Sequence, residues 1–218
     1  MKGFSSQKKQ FASLGSIARD PNSVFALPTE DTHFAGMGSE IESYQGKIYE
    51  EALRVTPHRR LAIDVGAHVG IFSRRMAHDF DRTVSFEPDA RNYECLVDNM
   101  MPFNVVPIWG AAGRARGRGE IKVNSKTNTG ARSFIYGMGG SVPVFMLDQF
   151  HFGLVDLIKI DTEGCESEVI FGALDLLKRC HPTLILERPD AELQIRLMDL
   201  NYRQVVTINK DTVFAEKQ

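Results

Sequence analysis

From Arg60 onward, short apolar runs alternate with helical stretches, and this alternation limits the chain to a largely parallel sheet with helices on both faces. A run such as Leu61-Ala62-Ile63 lacks the in-and-out pattern of a half-solvated strand, so it suits a strand buried on both sides, and Val84-Ser85-Phe86 reads as another buried run. The pattern predicts strands near 61–65, 82–87, 104–109, 155–160, 183–187, 203–208 and 211–215, and helices over 70–79, 89–101, 165–179 and 190–200. Between the third and fourth strands lies an insert, residues 110–154, rich in Gly, Asn, Ser and Thr; its alternating stretches, 120–124 and around 142–147, predict a hairpin-like excursion.

Residues 1–57 read differently. Pro21, Pro28, Gly36 and Gly38 punctuate a polar stretch before a helical pattern from Ser39 to Val55, closed by Thr56-Pro57. Ser39 and Glu42 have capping-box spacing, and Ile41, Tyr44, Ile48, Ala52 and Val55 share one face. That face should pack this N-terminal arm on a catalytic domain formed by residues 58–218. A chain of 218 residues can bury one good core and still carry such an arm, and 43% hydrophobic with 25% charged residues is ordinary for a water-soluble globular protein.

The 26 basic and 28 acidic side chains leave a formal net charge of -2, so no overall field gathers polyanions. The strongest local basic feature is Arg114, Arg116 and Arg118 interleaved with glycine, followed by Lys122, Lys126 and Arg132; it reads as a solvated loop face ahead of a contact to nucleic acid. Cys95, Cys165 and Cys180 are odd in number and lack C-x-x-C spacing, which speaks against a disulfide framework or zinc site and for a reducing compartment. Residues 1–11 are polar, and no window approaches the ~20 apolar residues of a membrane helix. The expectation is a cytoplasmic protein with no membrane partner.

The segment Asp64-Val65-Gly66-Ala67-His68-Val69-Gly70 leads from the first strand into the next helix, at the edge where open α/β sheets bind ligands. Gly66 admits close backbone approach, Gly70 lets the helix pack tightly on the sheet, and the free N–H groups at the helix start suit a carboxylate. The G-x-x-x-G spacing differs from the G-x-G-x-x-G that admits a pyrophosphate. Glu87, 23 residues after Asp64, ends the second buried run and is placed for both ribose hydroxyls, with Pro88 suited to the first helical position. Together with Ala111 after the third strand and Asp161 after the fourth, these residues predict a nucleoside cofactor site, for S-adenosyl-L-methionine ahead of a nicotinamide. The plainer alternative is a glycine turn that serves packing alone.

Residues 155–160 deliver Asp161-Thr162-Glu163-Gly164 to the same edge, so three strand tips present carboxylates, while Glu166 and Glu168 fall in the first turn of the next helix, where the dipole favours them. Asp64 to Gly70, Phe86-Glu87-Pro88, Ile158-Lys159-Ile160-Asp161-Thr162-Glu163-Gly164-Cys165-Glu166 and Leu184-Ile185-Leu186-Glu187 together resemble the FkbM family of methyltransferases over about residues 40–190. Asn128, Gly130 and Ser133 resemble the family's polar loop, and Tyr44-Gln45-Gly46 its tyrosine-bearing lead-in, with Gln45 a departure. The resemblance implies a class I methyltransferase fold: an α/β Rossmann-like sheet, mostly parallel with one antiparallel terminal strand and helices on both faces. It also implies S-adenosyl-L-methionine as cofactor and transfer to an oxygen of a sugar, a polyketide or another small molecule.

Methyl transfer is an in-line displacement in which placement alone can supply ~7–11 kcal/mol, and a base adds ~10²–10⁴-fold. Asp161, Glu163 and Glu187 are the candidate catalytic carboxylates. Asp161 or Glu163 is favoured as base, Glu187 holds a substrate hydroxyl or pairs with Arg188, and His68 is a further candidate. The three carboxylates would also suit a divalent cation, although no metal is assigned. Two rivals remain. Ribose methylation of RNA lacks an aromatic-rich basic platform, and a catalytically silent module would use residues 1–57 for docking.

Overall fold

The computed structural model describes residues 17–19, 25–137 and 139–217. In chain order the elements are β1 (Ile17–Arg19), β2 (Ala26–Pro28), α1 (Thr32–Ala35), α2 (Gly46–Val55), β3 (Leu61–Val65), α3 (Ile71–Asp79), β4 (Arg82–Glu87), α4 (Ala90–Met100) and β5 (Val105–Trp109). There follow β6 (Ala111–Ala112), β7 (Gly117–Lys122), β8 (Ser133–Tyr136), β9 (Val142–Phe145), β10 (Leu157–Ile160), α5 (Glu166–Phe171), α6 (Leu174–Cys180), β11 (Thr183–Glu187), α7 (Ala191–Asp199), β12 (Tyr202–Ile208) and β13 (Asp211–Glu216).

Seven strands form one sheet in the order β12-β13-β11-β10-β3-β4-β5. β5, β4, β3, β10 and β11 are parallel, and β13 pairs antiparallel with both β11 and β12. The single reversed strand is the last in sequence, as expected, but it lies inside the sheet between β11 and β12. Every residue of β3, β10 and β11 is buried, which is why their sequences are nearly continuous apolar runs. On one face Ile63, Phe86, Ile158 and Leu184 meet Val169 and Leu177 of α5 and α6. On the other, Ala62, Leu157 and Ile185 meet Phe72 and Met76 of α3 and Ile48 and Ala52 of α2. Strand order reverses at β3, so a crevice opens above the tips of β3 and β10.

Three expectations are corrected. The helix predicted over 39–55 is broken: Gly38–Ser43 is a 3₁₀ turn, and α2 begins only after Gln45, whose left-handed φ of 54° redirects the chain. Gln45 Nε2 donates to Asp211 Oδ2 at 2.9 Å, so the residue that departs from the family pattern ties the arm to β13. The helix predicted over 165–179 is split at Gly172-Ala173, where a Cβ on Gly172 would lie 2.0 Å from the carbonyl oxygen of Gly113. The insert holds more than a hairpin: β6, β9, β7 and β8 form a four-stranded sheet, with β6 parallel to β9.

The side chain of Ser39, and hence the capping box, lies outside the described residues, as do Pro21 and residues 1–11. The arm is fastened to the core by Phe25 and Leu27, which pack with Val69 and Leu96. Ala26 N also donates to Asn99 Oδ1 at 2.7 Å, and Asn99 Nδ2 returns a bond to the Ala26 carbonyl. Among the described residues no helix is long and apolar enough to cross a membrane.

Candidate active site

The turn after β3 is shaped by how closely β10 approaches it. A Cβ on Gly66 (φ 77°) would sit 1.8 Å from the carbonyl oxygen of Asp161, so only glycine allows the two strand tips to meet. Two residues on, His68 (φ 52°) turns its backbone N–H onto Glu87 Oε2 at 2.8 Å, while Asp89 N donates to Oε1 at 2.8 Å. A carboxylate offers about four acceptor positions; two are filled from the backbone, and the Asn92 side chain is a further donor to it. Burial pushes the Glu87 carboxyl up to about 8 against the pull of these donors.

Glu87 lines a cavity of about 560 Å³, counted to its open mouth, walled by Pro88, Ala111, Ala112, Ile121 and Phe134. Trp109, in register with Glu87 on β5, donates its indole N–H to the Pro88 carbonyl at 3.0 Å. A second cavity, about 620 Å³ when the open solvent at its mouth is included, shares Gly66, His68, Gly130, Asp161 and Glu163 with the first. It continues past Tyr44, Phe72, Lys159 and Lys210.

Asp161 and Glu163 therefore stand where the two spaces join. The buried Lys159 ammonium lies 3.4 Å from Asp161 Oδ2 and 3.6 Å from Asp64 Oδ1. Burial alone would raise Asp161, but the Lys159 charge and a hydrogen bond with Glu187 hold it below the usual carboxylate range. Burial and that same contact push Glu187 up to about 8. Glu163, half-buried and strained at φ 53°, is raised first by burial and then by the Asp161 charge. Oxygens of Asp161, Glu163 and Glu187 lie within 4.8 Å of one another, an arrangement with the oxygen set of a cation site. Lys159, Lys210 and Arg188 already face that cluster.

A family model described as Methyltransferase FkbM domain matches residues 64–203. The chain belongs to the FkbM methyltransferase family. Among solved structures, this FkbM chain is similar to methyltransferase FkbM from Methylobacillus flagellatus KT, at 14% identity and a TM-score of 0.51, with 96% of this chain and 59% of that one covered. The chain thus spans little more than half the length of that protein, and the likeness is one of fold. It is also similar to precorrin-6y C5,15-methyltransferase from Geobacter metallireducens GS-15, at 12% identity and a TM-score of 0.46 over 80% of this chain and 89% of that one. A third similar structure is a 16S rRNA methyltransferase of T. thermophilus in complex with AdoMet and guanosine, at 13% identity and a TM-score of 0.48 over 82% of this chain and 43% of that one. No curated protein matches the chain.

Of the residues predicted for the FkbM site, Gly66, Ala67, His68, Glu87, Pro88, Ala111, Asp161 and Glu163 line one or both cavities. Asp64, Val69, Gly70 and Glu187 line neither. Asp64 is fully buried and takes a hydrogen bond from Ser73 Oγ at 2.7 Å, so it braces the turn and anchors Lys159. Val69 is buried, its carbonyl taken by Asn99 Nδ2 at 2.8 Å. Gly70 (φ 96°) serves packing, since a Cβ there would meet Leu96 and Met100 at 2.9 Å. Glu187 is buried, and Lys210 Nζ donates to it. Arg132 leaves the predicted basic face altogether, buried on Asp89 and Glu30. Arg114 stacks 4.0 Å above the Phe171 ring and pairs with Glu168.

Sequence reasoning missed Asp31 and Thr129. Thr129 Oγ1 donates to Asp31 Oδ2 at 2.6 Å and therefore accepts from His68 Nε2, 2.7 Å away. It also missed Lys210, which reaches the second cavity from the turn between β12 and β13. The one available signal, polar residues in an otherwise unexplained arm and insert, does not say which of them converge.

Proposed function

We propose that this FkbM methyltransferase uses S-adenosyl-L-methionine to methylate a hydroxyl oxygen of a small molecule such as a saccharide. The observation that carries the reading is Glu87: a buried strand-tip carboxylate facing a cavity that runs on to two further carboxylates. Its carboxylate suits a ribose hydroxyl, and the walls of Ala111, Ala112, Ile121 and Phe134 suit a flat purine. The first turn of α3, with Lys159 and Lys210 nearby, suits the carboxylate of an amino-acid tail. When bound, the cofactor supplies an electrophilic methyl group.

The chain's own residues do the rest. Lys159 and Glu187 hold Asp161 in its charged form, ready to accept a hydrogen bond from the acceptor hydroxyl and orient it. Glu163, raised toward neutrality, is the better proton acceptor of the two, because a base works best with its pKa near the working pH. An RNA acceptor gains no support from the arginine loop, since Arg114 is paired and stacked and Arg118 bonds the Ser141 carbonyl.

The test has two stages. Calorimetry with S-adenosylhomocysteine should show one-to-one binding that Glu87→Ala weakens. Labelled adenosylmethionine with a host extract should then place label on a hydroxyl-bearing small molecule, and Glu163→Gln should slow that transfer by ~10²–10⁴-fold with product affinity retained. Label on polynucleotide would reject the small-molecule acceptor, and no heat of binding would reject the cofactor.

A further inference from the structure

We propose that the arm dipeptide Glu30-Asp31 positions Glu87 for its ligand, acting through two parallel relays that pass by way of the insert. The inference rests on the cofactor reading above and extends it to residues that line neither cavity.

The first relay ends on Glu87 Oε2. Asp31, 2% exposed, takes bonds from the N–H groups of Phe34 (3.0 Å) and Thr129 (3.1 Å) and from the Thr129 hydroxyl (2.6 Å). Because that hydroxyl has one proton and spends it on Asp31, His68 must donate from Nε2 across the 2.7 Å contact. The anchored ring belongs to the residue whose left-handed backbone aims its N–H at Glu87. A non-glycine residue persists at such a φ only while its surroundings hold it there.

The second relay ends on Glu87 Oε1. Glu30 takes bonds from Arg132 Nη2 at 3.2 Å and from Arg91, and Arg132 Nη1 donates to Asp89 Oδ2 at 2.6 Å. Asp89 is the residue whose N–H reaches Oε1. Each oxygen of Glu87 is thus fixed by a backbone N–H, each of those residues is held by an insert side chain, and the two insert side chains end on adjacent residues of the arm. Asn92 Nδ2 steadies the crossing by donating to the Thr129 carbonyl at 3.2 Å.

A double-mutant cycle in S-adenosylhomocysteine affinity tests this. Asp31→Asn and Glu30→Gln keep shape and remove charge; each should weaken binding about fivefold or more when Glu87 is present and less than about twofold in the Glu87→Gln background. Thr129→Ser, which keeps the hydroxyl, should bind like the unaltered protein, whereas Thr129→Val should lose part of what Asp31→Asn loses, because His68 Nε2 also lies 3.5 Å from Asp31 Oδ2. Equal losses in both Glu87 backgrounds, or equal behaviour of the Ser and Val variants, would overturn the positioning role and leave the cofactor reading standing. Failure of the unaltered protein to bind would remove both.

Discussion

Glu87 is a carboxyl under opposed demands. Burial lifts it from an ordinary 4.5 to about 8, while hydroxyl donors from a ligand favour its ionised form. Below the shifted value, binding must therefore expel a proton. Affinity for S-adenosylhomocysteine should rise with pH, by up to about tenfold per unit from pH 6 toward 8, and level off above it. Calorimetry in buffers of different ionisation heat would register the released proton, and a flat profile would count against the ribose assignment. Stability runs the other way. Between 4.5 and about 8 the folded state holds the proton that the unfolded chain has lost, so stability falls as pH rises through that window. Glu87→Gln should remove this loss, raising the melting temperature at pH 8 even as it weakens binding.

At the level of elements, β3, β4 and β11 lie on their predicted residues; in β3 and β11 burial on both faces forces largely apolar runs, while β4 carries buried Thr83 and Ser85 between its apolar residues. The same logic placed Glu87, Asp161 and Glu163 at strand tips, and all three line the crevice. The splitting of the 165–179 helix was not legible, because its cause is remote: the backbone of Gly113 fills the space a side chain at 172 would need. Gly172→Ala should cost ~1–3 kcal/mol of stability in urea unfolding. Gly153→Ala, with nothing within 4 Å of its added Cβ, supplies the comparison and should be near neutral. The parallel pairing of β6 with β9 escaped for a similar reason, being a contact between distant residues that neither short strand announces.

Across the whole molecule, arm, insert and core meet at one place. Thr32 N and His33 N both donate to the Thr127 carbonyl, Asp31 binds Thr129 across 98 residues of chain, and Arg132 spans Glu30 and Asp89. No local pattern encodes partners so far apart, which is why Asp31, Thr129 and Arg132 were missed or assigned elsewhere. If these three parts close on the ligand together, S-adenosylhomocysteine should slow amide exchange in residues 29–34, 66–70 and 127–132 in concert. Protection confined to 66–70 would show that arm and insert do not respond to the site.

Residue 109 is the chain's single tryptophan, and its indole leans on the carbonyl next to Glu87. If S-adenosylhomocysteine binds beside Glu87 as proposed, the ultraviolet emission of Trp109 should change on binding. Occupancy could then be followed in stopped flow on the unlabelled protein, without coupling enzymes and before any acceptor is in hand.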